Sequence, residues 1–445
     1  MTIDCGCLNR WAFAALMGCP LFAAAAEPVL FEAPSFSDVD VMTLRNAVLR
    51  AFGHDPLIAK MTAQVGIAQA LIDEAESAWQ PQISLQSGLG GSDKQDADND
   101  YSDTHYGLSV TQLVYDFGKT QNAVLRQRSV KKGAIYHLQQ ALGDVAKATA
   151  DTYLLIKRYA ALKQAAEQGV TSLEAVEAIA KVRASSGLSS SSDYLQAQSR
   201  IATMQSQVEQ FHTLRKTAIA QLEVLTGVRA RRFMPPPQAL NKQAMQVGAI
   251  DYSLIGAVRK AMADSAAASM RIEENKAGYL PTIKLQAGRN RYENNHDAYW
   301  DNQLYLNLDV PLYTGGAVSA RVAQAVGAKQ SAEQSIHQVK FDVLSRAAVA
   351  HSNYTGSHSR YAVSAHQVDI ATVARQVNLD EYRLSRRTVN DLMTVEQDLY
   401  QAHLALANAD FDGWDAAVAY AAAVDRLVDL LKIHRTEPSG TLPDI

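Results

Sequence analysis

Few residues in this chain are spaced for covalent or metal chemistry. Its 11 histidines are scattered without metal-ligand spacing, and neither HExxH, a P-loop nor GxSxG is present. Asp96, Asp98 and Asp100 imitate the start of a calcium loop. Such a loop needs Gly at its sixth place and a bidentate Glu at its twelfth, where this chain has Tyr101 and Gly107, so the segment reads as a solvated loop. Gly88 to Gly91 falls in a hairpin and not between a strand and a helix, so it is no phosphate cradle. All three cysteines, Cys5, Cys7 and Cys19, lie within the first 26 residues. The sequence predicts no enzyme, no metal and no cofactor.

The leader sets the compartment. Arg10 precedes an apolar run from Trp11 to Ala26, ending in Ala24-Ala25-Ala26, which reads as a secretory signal peptide over 1–26. Leu16-Met17-Gly18-Cys19 also fits a lipidation box. Removal of the leader would leave a chain without thiols, suited to an oxidising compartment. The 445 residues are 47% hydrophobic and 20% charged, with a formal net charge of −4. No block of five or six basic residues occurs, so nucleic acid is not an expected partner. Past the leader no run approaches the roughly 18 to 20 apolar residues of a membrane-spanning helix.

The elements come in a repeat. Trp79-Gln80-Pro81-Gln82-Ile83-Ser84-Leu85 recurs as Tyr279-Leu280-Pro281-Thr282-Ile283-Lys284-Leu285, and Leu113-Val114-Tyr115-Asp116-Phe117-Gly118 recurs as Pro311-Leu312-Tyr313-Thr314-Gly315-Gly316. So long a period indicates a duplicated, domain-sized unit. The boundaries read as an N-terminal segment 27–40, a first repeat 41–232, a linker 233–250, a second repeat 251–432 and a flexible tail 433–445. Each unit reads as helix, two strands, then two long helices, the first helical pattern covering 41–78. Ile83, Leu85 and Leu89 alternate with Gln82, Ser84 and Gln86; Leu304, Leu306, Leu308 and Val310 alternate with Tyr305, Asn307 and Asp309. Strands of about ten residues suit a tilted crossing of a bilayer. Four strands cannot close a barrel, and an open edge cannot face lipid, so several chains are needed.

After each hairpin the helical pattern is very long. No proline interrupts Lys119 to Ala184, roughly 100 Å of helix at 1.5 Å per residue. A second helix returns from Ser192 to Thr226, with Gly227 as its C-cap and Pro235-Pro236-Pro237 beyond. The second unit runs from Ala317 to about Ser385 and back to Leu431. Coiled packing or a tube wall explains helices of this length.

This arrangement resembles the TolC family of outer-membrane channel-tunnel proteins. The matching motifs are Leu113-Val114-Tyr115-Asp116-Phe117-Gly118, the first tip Gly187-Leu188-Ser189 with Asp193-Tyr194-Leu195-Gln196-Ala197-Gln198, and the second tip Arg386-Arg387-Thr388-Val389-Asn390-Asp391-Leu392. The resemblance implies a mainly α fold with membrane β, located in the outer membrane and extending into the periplasm. In it a homotrimer shares a 12-stranded β-barrel continuous with a 12-helix α-barrel, each chain giving four strands and two long helical hairpins. It further implies a periplasmic gate at Ser192, Asp193, Tyr382 and Arg387, and a charge ring at Asp391, where the second aspartate of related entrances is replaced by Thr394. Adaptor docking falls to Gly187, Leu188, Ser189 and Arg386. The bare residues allow plainer roles, with Asp193 and Asp391 as helix-start residues and Arg387 as a solvated tip. The implied partners are outer-membrane lipid, a periplasmic adaptor and an inner-membrane transporter of ABC type. The Arg-Arg-Thr tip resembles channels of type I protein secretion. Small-molecule efflux is the alternative duct, and a non-conducting periplasmic coiled-coil scaffold or adhesin is the alternative of another class.

Overall fold

The computed structural model describes residues 36–92, 101–186, 190–238, 240–241, 250–293, 298–384 and 386–433. The leader, Asp96, Asp98, Asp100, the first tip Gly187-Leu188-Ser189 and most of the tail lie outside these residues. The elements in order are β1 Ser37–Met42, α1 Leu44–His54, α2 Pro56–Ser77, β2 Gln82–Ser92, β3 Tyr101–Tyr115, α3 Lys119–Ser185, α4 Ser191–Thr226 and β4 Val228–Phe233. There follow α5 Gly256–Lys276, β5 Thr282–Glu293, β6 Ala298–Asp309, α6 Ala317–Arg383, α7 Val389–Ala423 and the single turn α8 Leu427–Leu430. No described helix is long and apolar enough to cross a membrane.

The one helical pattern expected over 41–78 is two helices. Asp55 sits at φ −73°, ψ 122°, outside the helical region that a residue before proline avoids, and Pro56 opens α2 at the position where its missing amide costs nothing. The Asp55 carboxylate accepts the Leu57 amide at 2.7 Å, capping α2. Residues 37–42 are also not helical: β1 pairs in parallel with β4, from Ser37 opposite Val228 to Met42 opposite Phe233. The main core gathers on this small sheet, with Met42, Leu44, Val48, Tyr153, Leu222, Trp414, Val418 and Leu427 buried together. The Tyr153 hydroxyl lies 2.9 Å from the Met42 carbonyl and 2.6 Å from that of Met234, so α3 is pinned to both chain segments.

The four other strands form one antiparallel sheet in the order β2-β3-β5-β6. The β3–β5 pairing joins the two repeats, and β2 and β6 are its edges. Each hairpin hands over to its long helix through two successive left-handed residues, Phe117 and Gly118 (φ 53° and 90°) and then Gly315 and Gly316 (φ 62° and 82°). The repeated motif ending in Gly thus has a backbone cause. In the first copy Asp116 accepts the Thr120 amide at 2.8 Å and its hydroxyl at 2.5 Å, holding the start of α3. Both α3 and α6 are 67 residues long, about 100 Å each. A second core binds their far ends to α4 and α7 through Leu173, Val176, Ile201, Met204, Leu392 and Met393.

Candidate functional site

Two surfaces stand out, one on the sheet and one at the helical tips. Strand pairing places Ile83, Leu85 and Leu89, with Leu108, Leu304, Leu306 and Leu308, on the same face of the sheet. Ile83, Leu85, Leu89 and Leu304 are each at least 70% exposed. A solvated sheet would turn this face inward; here it faces out, and the other face is polar. On that face the Ser84 and Ser109 hydroxyls lie 2.8 Å apart and Asn307 donates to Gln286 at 3.0 Å. Exposed aromatic rings sit at both ends of the stripe. Tyr106 and Trp300 meet edge to face at 6.2 Å, and Tyr115 and Phe117 at 4.6 Å. An apolar band between aromatic girdles is the pattern of a lipid-facing barrel wall.

The tips carry the residues singled out from sequence. In α7, Asp391 and Thr388 make a capping box: the Asp391 carboxylate accepts the Thr388 amide at 2.8 Å and its hydroxyl at 2.9 Å, and the Asp391 amide returns to Thr388 at 3.2 Å. These bonds hold the Asp391 carboxyl below the usual range. Arg387 donates from Nε to Glu381 at 2.7 Å, and that partner raises its guanidinium pKa. The ion pair of Arg387 is therefore within its own hairpin, and among the described residues Arg387 does not reach Asp193. The Arg386 amide donates to the Glu381 carbonyl at 2.9 Å. Asp193 stands in the first turn of α4, where the Ser190 side chain accepts the Ser192 amide at 3.1 Å.

Tyr382 is 8% exposed, and its hydroxyl has no hydrogen-bond partner among the described residues. The Arg183 guanidinium, in the last turn of α3, lies 5.3 Å from its ring centroid. This contact ties the first hairpin to the second, and sequence reasoning missed both Arg183 and Glu381. Farther from the tip, Arg200 of α4 reaches Gln397 at 3.1 Å and Asn390 at 3.3 Å, while Arg375 of α6 pairs with the buried Glu396 of α7. No cluster of His, Cys, Asp or Glu that could hold a metal occurs among the described residues.

Comparison with known proteins gives one consistent family. The model of the outer membrane efflux protein family matches residues 48–228 and 256–424. The outer membrane protein TolC of Vibrio cholerae is 23% identical over 419 residues, 88% of this chain and 92% of that protein. The proteases secretion protein PrtF of Dickeya chrysanthemi is 30% identical over 150 residues, 32% of this chain and 31% of that protein. Among solved structures, the outer-membrane channel OprN superposes with a TM-score of 0.74 at 16% identity, covering 88% of this chain and 94% of that one.

Proposed function

Because the chain belongs to the outer membrane efflux protein family, whose members are passive outer-membrane channels, we propose that three copies assemble into the exit duct of a type I protein secretion system. The observation that carries this reading is the outward apolar face of a four-stranded sheet with two open edges. Lipid cannot satisfy edge amides and carbonyls, and four strands are too few to close on themselves. Three sheets edge to edge give twelve strands.

The long helices support the same count. α6 presents Val363, Ile370 and Val377, and its C-cap Leu384 continues them at the same seven-residue interval; all four are exposed. A seven-residue apolar repeat wraps left-handed on a neighbouring helix, here α4 of the next copy, which starts at the same tip. At the far end, Ser192, Asp193, Tyr382 and Arg387 serve as the gate and three Asp391 copies as a cation-favouring ring. The first tip, Gly187-Leu188-Ser189, with Arg386, receives a periplasmic adaptor, which joins the duct to an ATP-driven transporter in the inner membrane. No step of catalysis is required.

Support for secretion is the Arg386-Arg387-Thr388 tip and the similarity to a relative named for protease secretion. Drug efflux is the second reading, favoured by the name of the family. Heat-modifiable trimers in outer-membrane fractions, with ion conductance in planar bilayers, test the duct against a non-conducting scaffold. Cross-linking in cells then separates the two ducts: capture of an ATP-driven exporter supports secretion, and capture of a proton-driven pump supports efflux.

A further inference from the structure

Strand β5 carries on its outward face, in succession, Ile283, Leu285, Ala287, Arg289 and Arg291. The apolar stripe thus gives way to two arginines near the end of the strand away from the helices, with Glu293 as the last residue of the same face. From Ile283 to Arg291 is roughly 27 Å along the strand at about 3.4 Å per residue. At the usual barrel tilt this is about 20 Å along the membrane normal, close to the height of a barrel's apolar band. Arg289 and Arg291 therefore stand at the outer-leaflet boundary.

Their surroundings are built for an anion. Trp300 of β6 is paired with Arg291 and Tyr106 of β3 pairs with it from the other side. The Arg289 Cζ lies 4.4 Å and the Arg291 Cζ 5.4 Å from the same Trp300 ring centroid. One indole thus draws in two cations. The ring attracts each of them but does not cancel their repulsion, which strengthens where water thins out. The Arg291 Nε is buried without a hydrogen-bond partner, and neither arginine forms an ion pair among the described residues. A group with several charged oxygens would neutralise both guanidiniums and accept from their planar forks, as phosphate does.

We propose that Arg289 and Arg291, gathered on Trp300, bind the phosphate of an anionic lipid in the outer leaflet. The assignment rests on the lipid-facing reading of this sheet face. Such a site fixes an annulus of acidic lipid around the barrel and anchors its depth in the membrane.

The test uses the full-length protein reconstituted in bilayers with Trp11→Phe, Trp79→Phe and Trp414→Phe, so that of its four tryptophans Trp300 alone remains as the reporter. Quenching of its fluorescence is measured with brominated acyl chains carried either by phosphatidylcholine or by an acylated, bisphosphorylated glucosamine disaccharide. The phosphorylated lipid is expected to be preferred by roughly thirtyfold, the equivalent of about 1 kcal/mol for each of the two arginines at a membrane surface. Arg289→Gln with Arg291→Gln should bring the preference close to one, while Lys284→Gln, on the polar face of the same strand, leaves it unchanged. A preference that survives loss of both arginines, or is absent with them, overturns the site. Loss of the preference on adding free pyrophosphate would assign the arginines to soluble phosphate and overturn the lipid as its source. Absence of any quenching by brominated phosphatidylcholine would instead defeat the lipid-facing reading itself.

Discussion

Arg387 Nε donates to Glu381 Oε2 at 2.7 Å, so the arginine of the second tip is held by the residue that precedes Tyr382 in its own hairpin. A closed entrance that needs Arg387 on Asp193 has to win it from Glu381. The pair is solvent-exposed, and exchange between two carboxylates is cheap there. Glu381→Gln should therefore tighten closure and lower single-channel conductance in planar bilayers. Arg387→Glu and Asp193→Arg should each raise conductance severalfold, and the double swap should partly restore the closed state. Conductance equal to that of the native chain in all four variants would remove these residues from the gate.

Arg183 and Tyr382 give a second handle on the same end. The guanidinium lies over the ring face and not within reach of the hydroxyl, so the contact is cation–π in kind. Arg183→Gln is expected to loosen the tips and raise conductance, with Arg183→Lys keeping most of the closure. Tyr382→Phe retains the ring, and in that background Arg183→Gln should act as it does in the native chain. In Tyr382→Leu it should have no further effect. An equal response in the Phe and Leu backgrounds would show that the ring face is irrelevant.

Gly227 closes α4 at φ 67°, and a Cβ built there would stand 2.8 Å from the His54 Nδ1 atom. Gly227→Ala thus meets two penalties: the left-handed backbone, about 1 to 2 kcal/mol, and a clash with α1. The thermal unfolding temperature of the purified protein should fall by several degrees. Adding His54→Ala should recover the clash and leave the backbone cost. Full recovery would mean that the φ angle carries no strain.

The residues that sequence made legible are those whose partners are close in the chain or whose period reports two different solvents. Ile83, Leu85 and Leu304 to Leu308 alternate because lipid and water lie on opposite faces of one sheet, and that alternation survives without knowledge of the fold. Gly227 announces a helix end by its type alone. The β1–β4 pairing was hidden because its strands are 191 residues apart, and because Arg229, Arg231 and Arg232 make β4 look like a polar linker. Pro56 was visible, but the apolar pattern continues across it. At the tips, Arg183 and Tyr382 lie at the far ends of two separate 67-residue helices, 199 residues apart in the chain, so no local pattern pairs them. Arg289 and Arg291 did carry a signal, two arginines at i and i+2 continuing an apolar face, which gains meaning once Trp300 is known to sit opposite.

Arg158 of α3 spans Asp412 at 2.7 Å and Asp415 at 2.9 Å on α7, and Arg360 of α6 reaches Asp412 at 3.2 Å. Burial pushes the Asp415 carboxyl up to about 6; Arg158 and Lys147 oppose the rise, while Asp151 and Asp412 add to it. In the unfolded chain the same group titrates near 3.8. Between about pH 4 and pH 6 the folded state therefore binds more protons than the unfolded one, so stability is fullest below this window and falls as pH rises through it. Above pH 6 the contribution is flat. Asp415→Asn mimics the protonated form and should flatten the curve of thermal unfolding temperature against pH between 4 and 6. Asp415 remains partly exposed and paired, so the change across the window should be about 1 kcal/mol, well below the ~3 kcal/mol of an unscreened shift. Asp144 and Asp410 are also raised by burial and titrate in the same direction. They contribute to both proteins, so the difference between the two curves reports Asp415. Parallel curves for the native chain and Asp415→Asn would show that its ionisation is not coupled to folding.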